Sequence, residues 1–161
     1  MEAEYRRLKS VWQSGTCPRE DALHLLYFVW MHGAEPQFLT GMEFDPDAEK
    51  LWGAIFECFG GEQSQDAEFL HVAAIMANLF DFNLCDDGAW ERMAARSIQL
   101  QPEGYSPEDF DGRGEYGEYF AYQARARRAS FVRSIRPSSD LRGWVVQAVE
   151  RFLRLGRRKS L

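Results

Sequence analysis

Two stretches of this 161-residue chain have no polar face. Residues 22–31 read Ala-Leu-His-Leu-Leu-Tyr-Phe-Val-Trp-Met, and in residues 69–80 only His71 and Asn78 break the apolar run. A helix that is apolar on every side has to be surrounded, by other helices or by lipid. Both stretches fall short of the roughly 18 uncharged apolar residues of a membrane span. They predict two central helices of an all-α bundle, with no membrane segment.

The remaining punctuation is also helical, and alternating strand patterns with hairpin turns are nearly absent. A first helix spans 2–14 and stops at Gly15. A second follows Thr16, with Pro18 in its first turn, and ends at Gly33. After a loop with Pro36 and Gly41, Asp45-Pro46 reads as an N-cap followed by proline at the first helical position. That helix reaches Phe59 and is closed by Gly60-Gly61. Its Leu51, Trp52, Ile55, Phe56 and Phe59 form a side for packing on the central pair. Ser64 is expected to cap a helix to Phe82, and Asp86 or Asp87 to open one ending before Pro102.

Residues 102–114 hold two prolines and three glycines, the composition of a hinge, with Ser106-Pro107-Glu108-Asp109 suited to one helical turn. A helix over 115–135, stopped by Pro137, and another over 139–155 close the chain as a basic hairpin. The expectation is a compact bundle of about seven helices forming one domain, 1–155, followed by a flexible basic tail, 156–161. Hydrophobic content of 45% is ample for a core in a chain of this length. Cys17, Cys58 and Cys85 are odd in number and widely spaced, so they read as free thiols, Cys58 on or near an apolar helix face and Cys17 beside a helix start. Reduced thiols and a charged N-terminus without an apolar signal core predict a cytoplasmic location.

Chemistry is sparsely signalled. On the two central helices Glu20 and His24 are four apart, and Glu68 and His71 three apart, so each helix can present an acid and an imidazole on one face. Helical di-iron carboxylate bundles use Glu-x-x-His, the spacing of Glu68 and His71, while Glu20 and His24 are one residue further apart. Glu20, His24, Glu68 and His71 are therefore a candidate set for iron, manganese or zinc. The competing account makes them hydrogen-bonded core histidines and dipole-favoured acids of first turns, with no cofactor.

Residues 112–117 spell Gly-x-Gly-x-x-Gly, but no strand precedes them and Glu115 would repel a phosphate, so tight backbone turns are the better explanation. Asp109, Asp111 and Gly114 fit three positions of a calcium loop, yet Arg113 and Phe120 stand where oxygen ligands belong. No nucleophile is paired with a base, and the serines sit mainly at caps. The first reading is non-enzymatic, with a metal-dependent helical-bundle enzyme using Glu20, His24, Glu68 and His71 as the alternative.

Charge supplies the other signal. Residues 1–120 carry 8 Lys+Arg against 23 Asp+Glu, net −15, while residues 121–161 carry 11 against 2, net +9; together they give the −6 of the chain. Projected at about 100° per residue, the 115–135 helix places Gln123 and Arg127 on its apolar face, as buried polar groups in need of partners. Arg125, Arg128, Arg133 and Arg136 fall elsewhere and, with Arg157, Arg158 and Lys159, form the surface left for a partner. An acidic protein is the partner expected. Nucleic acid is the alternative, opposed by the pI of about 5.1 and by the acidic body. Partner identity and oligomeric state are not legible.

Overall fold

The structure, a computed structural model, describes residues 1–80 and 88–133, with side chains as far as residue 126. The chain divides into two units, Met1–Arg125 and Ala126–Leu161, and the buried core among the described residues belongs to the first. Seven α-helices and no strand occur among the described residues: α1 Glu2–Gln13, α2 Arg19–Ala34, α3 Gln37–Thr40, α4 Ala48–Cys58, α5 Ala67–Leu79, α6 Ala89–Leu100 and α7 Gly114–Arg133. The protein is all-α, and none of these helices is long and apolar enough to cross a membrane.

The two apolar runs become the helices with the deepest burial. In α2, Ala22, Leu23 and every residue from Leu25 to Trp30 are buried, and α5 buries Phe69, Leu70 and Val72 through Ala77. Side chains so nearly consecutive point in all directions, so both helices need neighbours around their whole circumference. α1 and α4 pack along α2, and α6 packs along α5. These flanking helices are amphipathic, α1 burying Tyr5 and Leu8, α4 burying Leu51, Trp52, Ile55 and Phe56. α7 adds Tyr116, Phe120, Ala121 and Ala124 to the core. Each fully buried aromatic or aliphatic side chain contributes about 1.5–3 kcal/mol relative to exposure.

Several boundaries differ from expectation, for reasons visible in side-chain chemistry. α4 begins after Asp47, not Asp45. Asp45 is occupied elsewhere: its carboxylate accepts from the Tyr5 hydroxyl, from Lys9 and from the Asp47 amide at 3.0 Å. α5 is capped by Asp66, whose Oδ1 accepts from the Phe69 amide at 3.0 Å, while Ser64 Oγ accepts from the Asp66 amide one step earlier. The Pro36–Gly41 loop contains the single turn α3, ended by Gly41 in the left-handed region. The Asp86/Asp87 cap, the Pro137 stop and the helix over 139–155 lie outside the described residues.

The 102–114 segment, expected as a hinge, makes a 3-10 turn at Pro107–Phe110 in which the Ser106 amide donates to Asp109 at 2.6 Å. Pro107 and Phe110 are buried, and Tyr105 lies 4.8 Å from the His71 ring.

Candidate functional site

Three helix beginnings converge on one spot. The first turn of α2 supplies Arg19 and Glu20, with His24 one turn on. The first turn of α5 supplies Glu68, and its N-cap is Asp66. The lead into α7 supplies Arg113, and its first turn supplies Tyr116. Acids in first turns face the positive end of the helix dipole, which explains why carboxylates gather here.

Arg113 is the centre. Its Nε and Nη2 donate to the two oxygens of Glu20 at 2.5 and 2.6 Å, and its Nη1 lies 2.6 Å from Glu68 Oε1. The guanidinium stands 4.8 Å from the Tyr116 ring and 5.7 Å from that of Phe110. The Tyr116 hydroxyl donates to Glu68 Oε1 at 2.7 Å, and the Tyr116 ring is stacked on His24 at 4.6 Å. His24 Nε2 in turn lies 3.0 Å from Glu20 Oε1. On the outer side Arg19 grips Asp66 at 2.6 and 2.8 Å and reaches Glu68 Oε2 at 3.0 Å. A fork of donors shared between two carboxylates suits arginine and not lysine, because its planar geometry fixes several bonds at once.

The electrostatics lock this arrangement. Burial alone would raise the Glu20 carboxyl, but the Arg113 bonds and charge hold it below the usual range. Asp66 is likewise pushed up by burial and held down by Arg19 and the Phe69 amide. Burial and the Glu68 charge raise the Tyr116 hydroxyl well above its ordinary value. Tyr105 is pushed up to about 12 by burial and by Glu68. General acid–base catalysis needs groups that exchange protons near the working pH. Here Glu20 and Asp66 are held anionic and Tyr116 neutral, the pattern of a structural ion-pair network.

The four residues expected to form a metal set are thus divided. Glu20, His24 and Glu68 come together, but around Arg113, a fixed cation that occupies the oxygens a metal would use. His71 packs against Tyr105 and, at 6.4 Å, Phe110. Among the described residues no group of three or more His, Cys, Asp or Glu side chains is arranged to hold a metal ion.

The glycine motif has a steric explanation: Gly112 and Gly114 have φ of 74° and 60°, and a Cβ at Gly117 would meet the Phe110 carbonyl oxygen at 2.2 Å. Those glycines let the chain turn tightly enough to bring Arg113 down onto Glu20. A cleft of about 450 Å³ opens beside it, lined by Glu4, Arg7, Glu20, His24, Arg113 and Tyr116 among others. A shallower depression of about 680 Å³ lies by Arg19, Cys58, Asp66, Glu68 and Tyr105.

Of the residues expected to meet a partner, Arg125 is exposed on α7. Arg128 and Arg133 lie on the same helix, their side chains outside the described residues, as is that of Arg127; Arg136, Arg157, Arg158 and Lys159 lie outside them altogether. Gln123 is buried, 7% exposed. Spacing rules do not find Arg113, although a signal for it exists: it is the single cation of residues 103–118, amid six acids. No protein-family model, curated protein or solved structure matches the chain.

Proposed function

We propose that this protein is a non-enzymatic interaction protein that presents an arginine-rich surface, beginning at Arg125 on α7, to an acidic protein partner. One observation carries the reading. Each of the six arginines and two lysines between residues 1 and 120 is engaged by a carboxylate or carbonyl of the same stretch. Arg92 is held by Glu62, Arg96 by the Ser64 carbonyl, Lys50 by Asp47 and Lys9 by Asp45. Glu20, Asp66 and Glu68 hold Arg19 and Arg113, while Glu2, Glu4, Asp21 and Glu43 hold Arg6 and Arg7. The body meets the demand of its own cations internally, whereas the eleven Lys+Arg of residues 121–161 face two acids in their own segment. Arginine is suited to forked contacts with carboxylates of a partner. The cluster most suggestive of catalysis is meanwhile closed by Arg113.

Affinity purification from cell extract, with the wild type against the R125E/R128E/R133E variant, tests the reading. The expected result is an acidic protein recovered in stoichiometric amount with the wild type, released by salt and lost with the variant. Equal recovery by both proteins overturns it. Material that disappears on nuclease treatment reassigns the surface to nucleic acid, which the steep salt dependence of phosphate contacts would then confirm.

A further inference from the structure

We propose that His32 is an acid-sensitive latch on α1: protonation of its imidazole releases the Tyr5 and Leu8 side of that helix from α2. His32 stands in the last turn of α2, with its ring centred 4.4 Å from that of Tyr5. Its Nε2 is shut off from solvent and has no hydrogen-bond partner among the described residues. A neutral imidazole carries one N–H and can place it on Nδ1, which leaves Nε2 a bare acceptor. The imidazolium carries an N–H on both nitrogens. A second proton therefore puts a charged donor in a buried spot with no acceptor, which a folded chain avoids.

The surroundings relieve this only in part. The charged and titratable groups that bear on the ring are Glu2, Tyr5 and Lys9 of α1 and Asp45 ahead of α4. Burial dominates and holds the imidazole below the ordinary histidine range; Asp45 and Glu2 favour the imidazolium, and Lys9 opposes it. Both acids are already engaged, Asp45 by Tyr5 and Lys9, Glu2 by the Glu43 amide at 3.0 Å. Water reaches Nε2 at least cost if the helix that packs Tyr5 on the ring lifts away. α1 fully buries Tyr5 and Leu8, whereas α2 buries Ala22, Leu23 and Leu25 through Trp30, so α1 can leave while the rest of the core stays. Above about pH 6.5 neither the closed nor the lifted form binds the proton. As pH falls further only the lifted form takes it up, and closure loses stability until the lower pKa of the closed form is reached. The carboxylates of this region leave that window clear. Arg7 holds Glu4 below its usual range, and against burial Arg6 and the Glu43 amide do the same for Glu2, while Lys9 and Tyr5 hold Asp45 at about 2.

Amide hydrogen exchange of the full chain at about pH 7 and about pH 5, corrected for intrinsic rates, tests the latch in wild type against H32Q. H32F takes the place of H32Q should that variant not fold. The amides of Leu8 to Gln13 in α1 are expected to open through a smaller event than the one that exposes Leu25 to Trp30 of α2. Their protection is expected to fall about tenfold between the two pH values in the wild type and less than about twofold in the variant. Equal protection of α1 and α2 overturns the proposal, because α1 then opens only with the whole molecule. It is overturned as well by a pH dependence that the variant retains, or by a His32 ring proton that titrates at or above the ordinary histidine value in the NMR spectrum of the wild type.

Discussion

Asp45 binds three donors from three directions: the Tyr5 hydroxyl and Lys9 on α1, and the Asp47 amide at the threshold of α4. Burial would raise its carboxyl, but these donors hold it at about 2, below the ordinary range of an aspartate. The side chain is only 10% exposed, so little of this is lost to solvent screening. A depressed folded pKa contributes stability that is present above the unfolded value and lost as pH falls through the folded one. D45N is therefore expected to cost about 2 kcal/mol at pH 7, with the deficit shrinking between about pH 4 and pH 2. Urea unfolding of both proteins across that range checks it. Arg113 poses the same question with the opposite charge. Its removal leaves Glu20 and Glu68, the latter 13% exposed, without their common cation. R113M is expected to lose about 3–5 kcal/mol, and R113K to recover only part, because an ammonium cannot reproduce the fork. Equal stability of R113M and R113K would show that shape alone matters there.

Among the elements, α7 gives the sharpest contrast between local propensity and tertiary packing. Glycine inside a helix costs up to about 1 kcal/mol relative to alanine, and Gly53 in α4 has open space around a would-be Cβ, so G53A is expected to stabilise by up to that amount. Gly117 is also helical, yet its Cβ would fall 2.2 Å from the Phe110 carbonyl oxygen and 2.8 Å from Arg113 Cβ. G117A is expected to destabilise by about 1–3 kcal/mol, the cost of forcing packed atoms apart, and the two midpoints measured side by side decide between the accounts. The same contrast explains what is legible in the sequence. α2 and α5 are readable because unbroken apolarity has one solution in water, a central position. Caps are less so: Asp45 and Asp47 both have cap chemistry, and Asp45 is taken up by Tyr5 and Lys9 arriving from another helix. The juxtaposition of acid and imidazole at Glu20 and His24 is visible from helix spacing. Their real partner is not, because Arg113 lies 93 residues from Glu20 and no periodicity links them.

For the molecule as a whole, the distribution of charge is the fact that demands a use. Residues 1–120 carry net −15 and hold their own eight cations within that stretch, while residues 121–161 carry net +9. Exposed single ion pairs contribute about 0–1 kcal/mol each, so arginines kept for a partner are nearly silent in the free protein. Arginines that hold the free molecule together are not silent. If the partner reading holds, R125E/R128E/R133E shifts the thermal midpoint of the isolated protein by no more than a few degrees at physiological ionic strength, and added salt leaves the gap to wild type unchanged. A large drop at low salt that closes as salt is raised would mean that the arginines neutralise the protein's own acids, because exposed charge interactions are screened beyond about 8 Å under physiological conditions. Thermal unfolding of the two proteins over a salt series therefore separates the two uses of the same charge, independently of any partner.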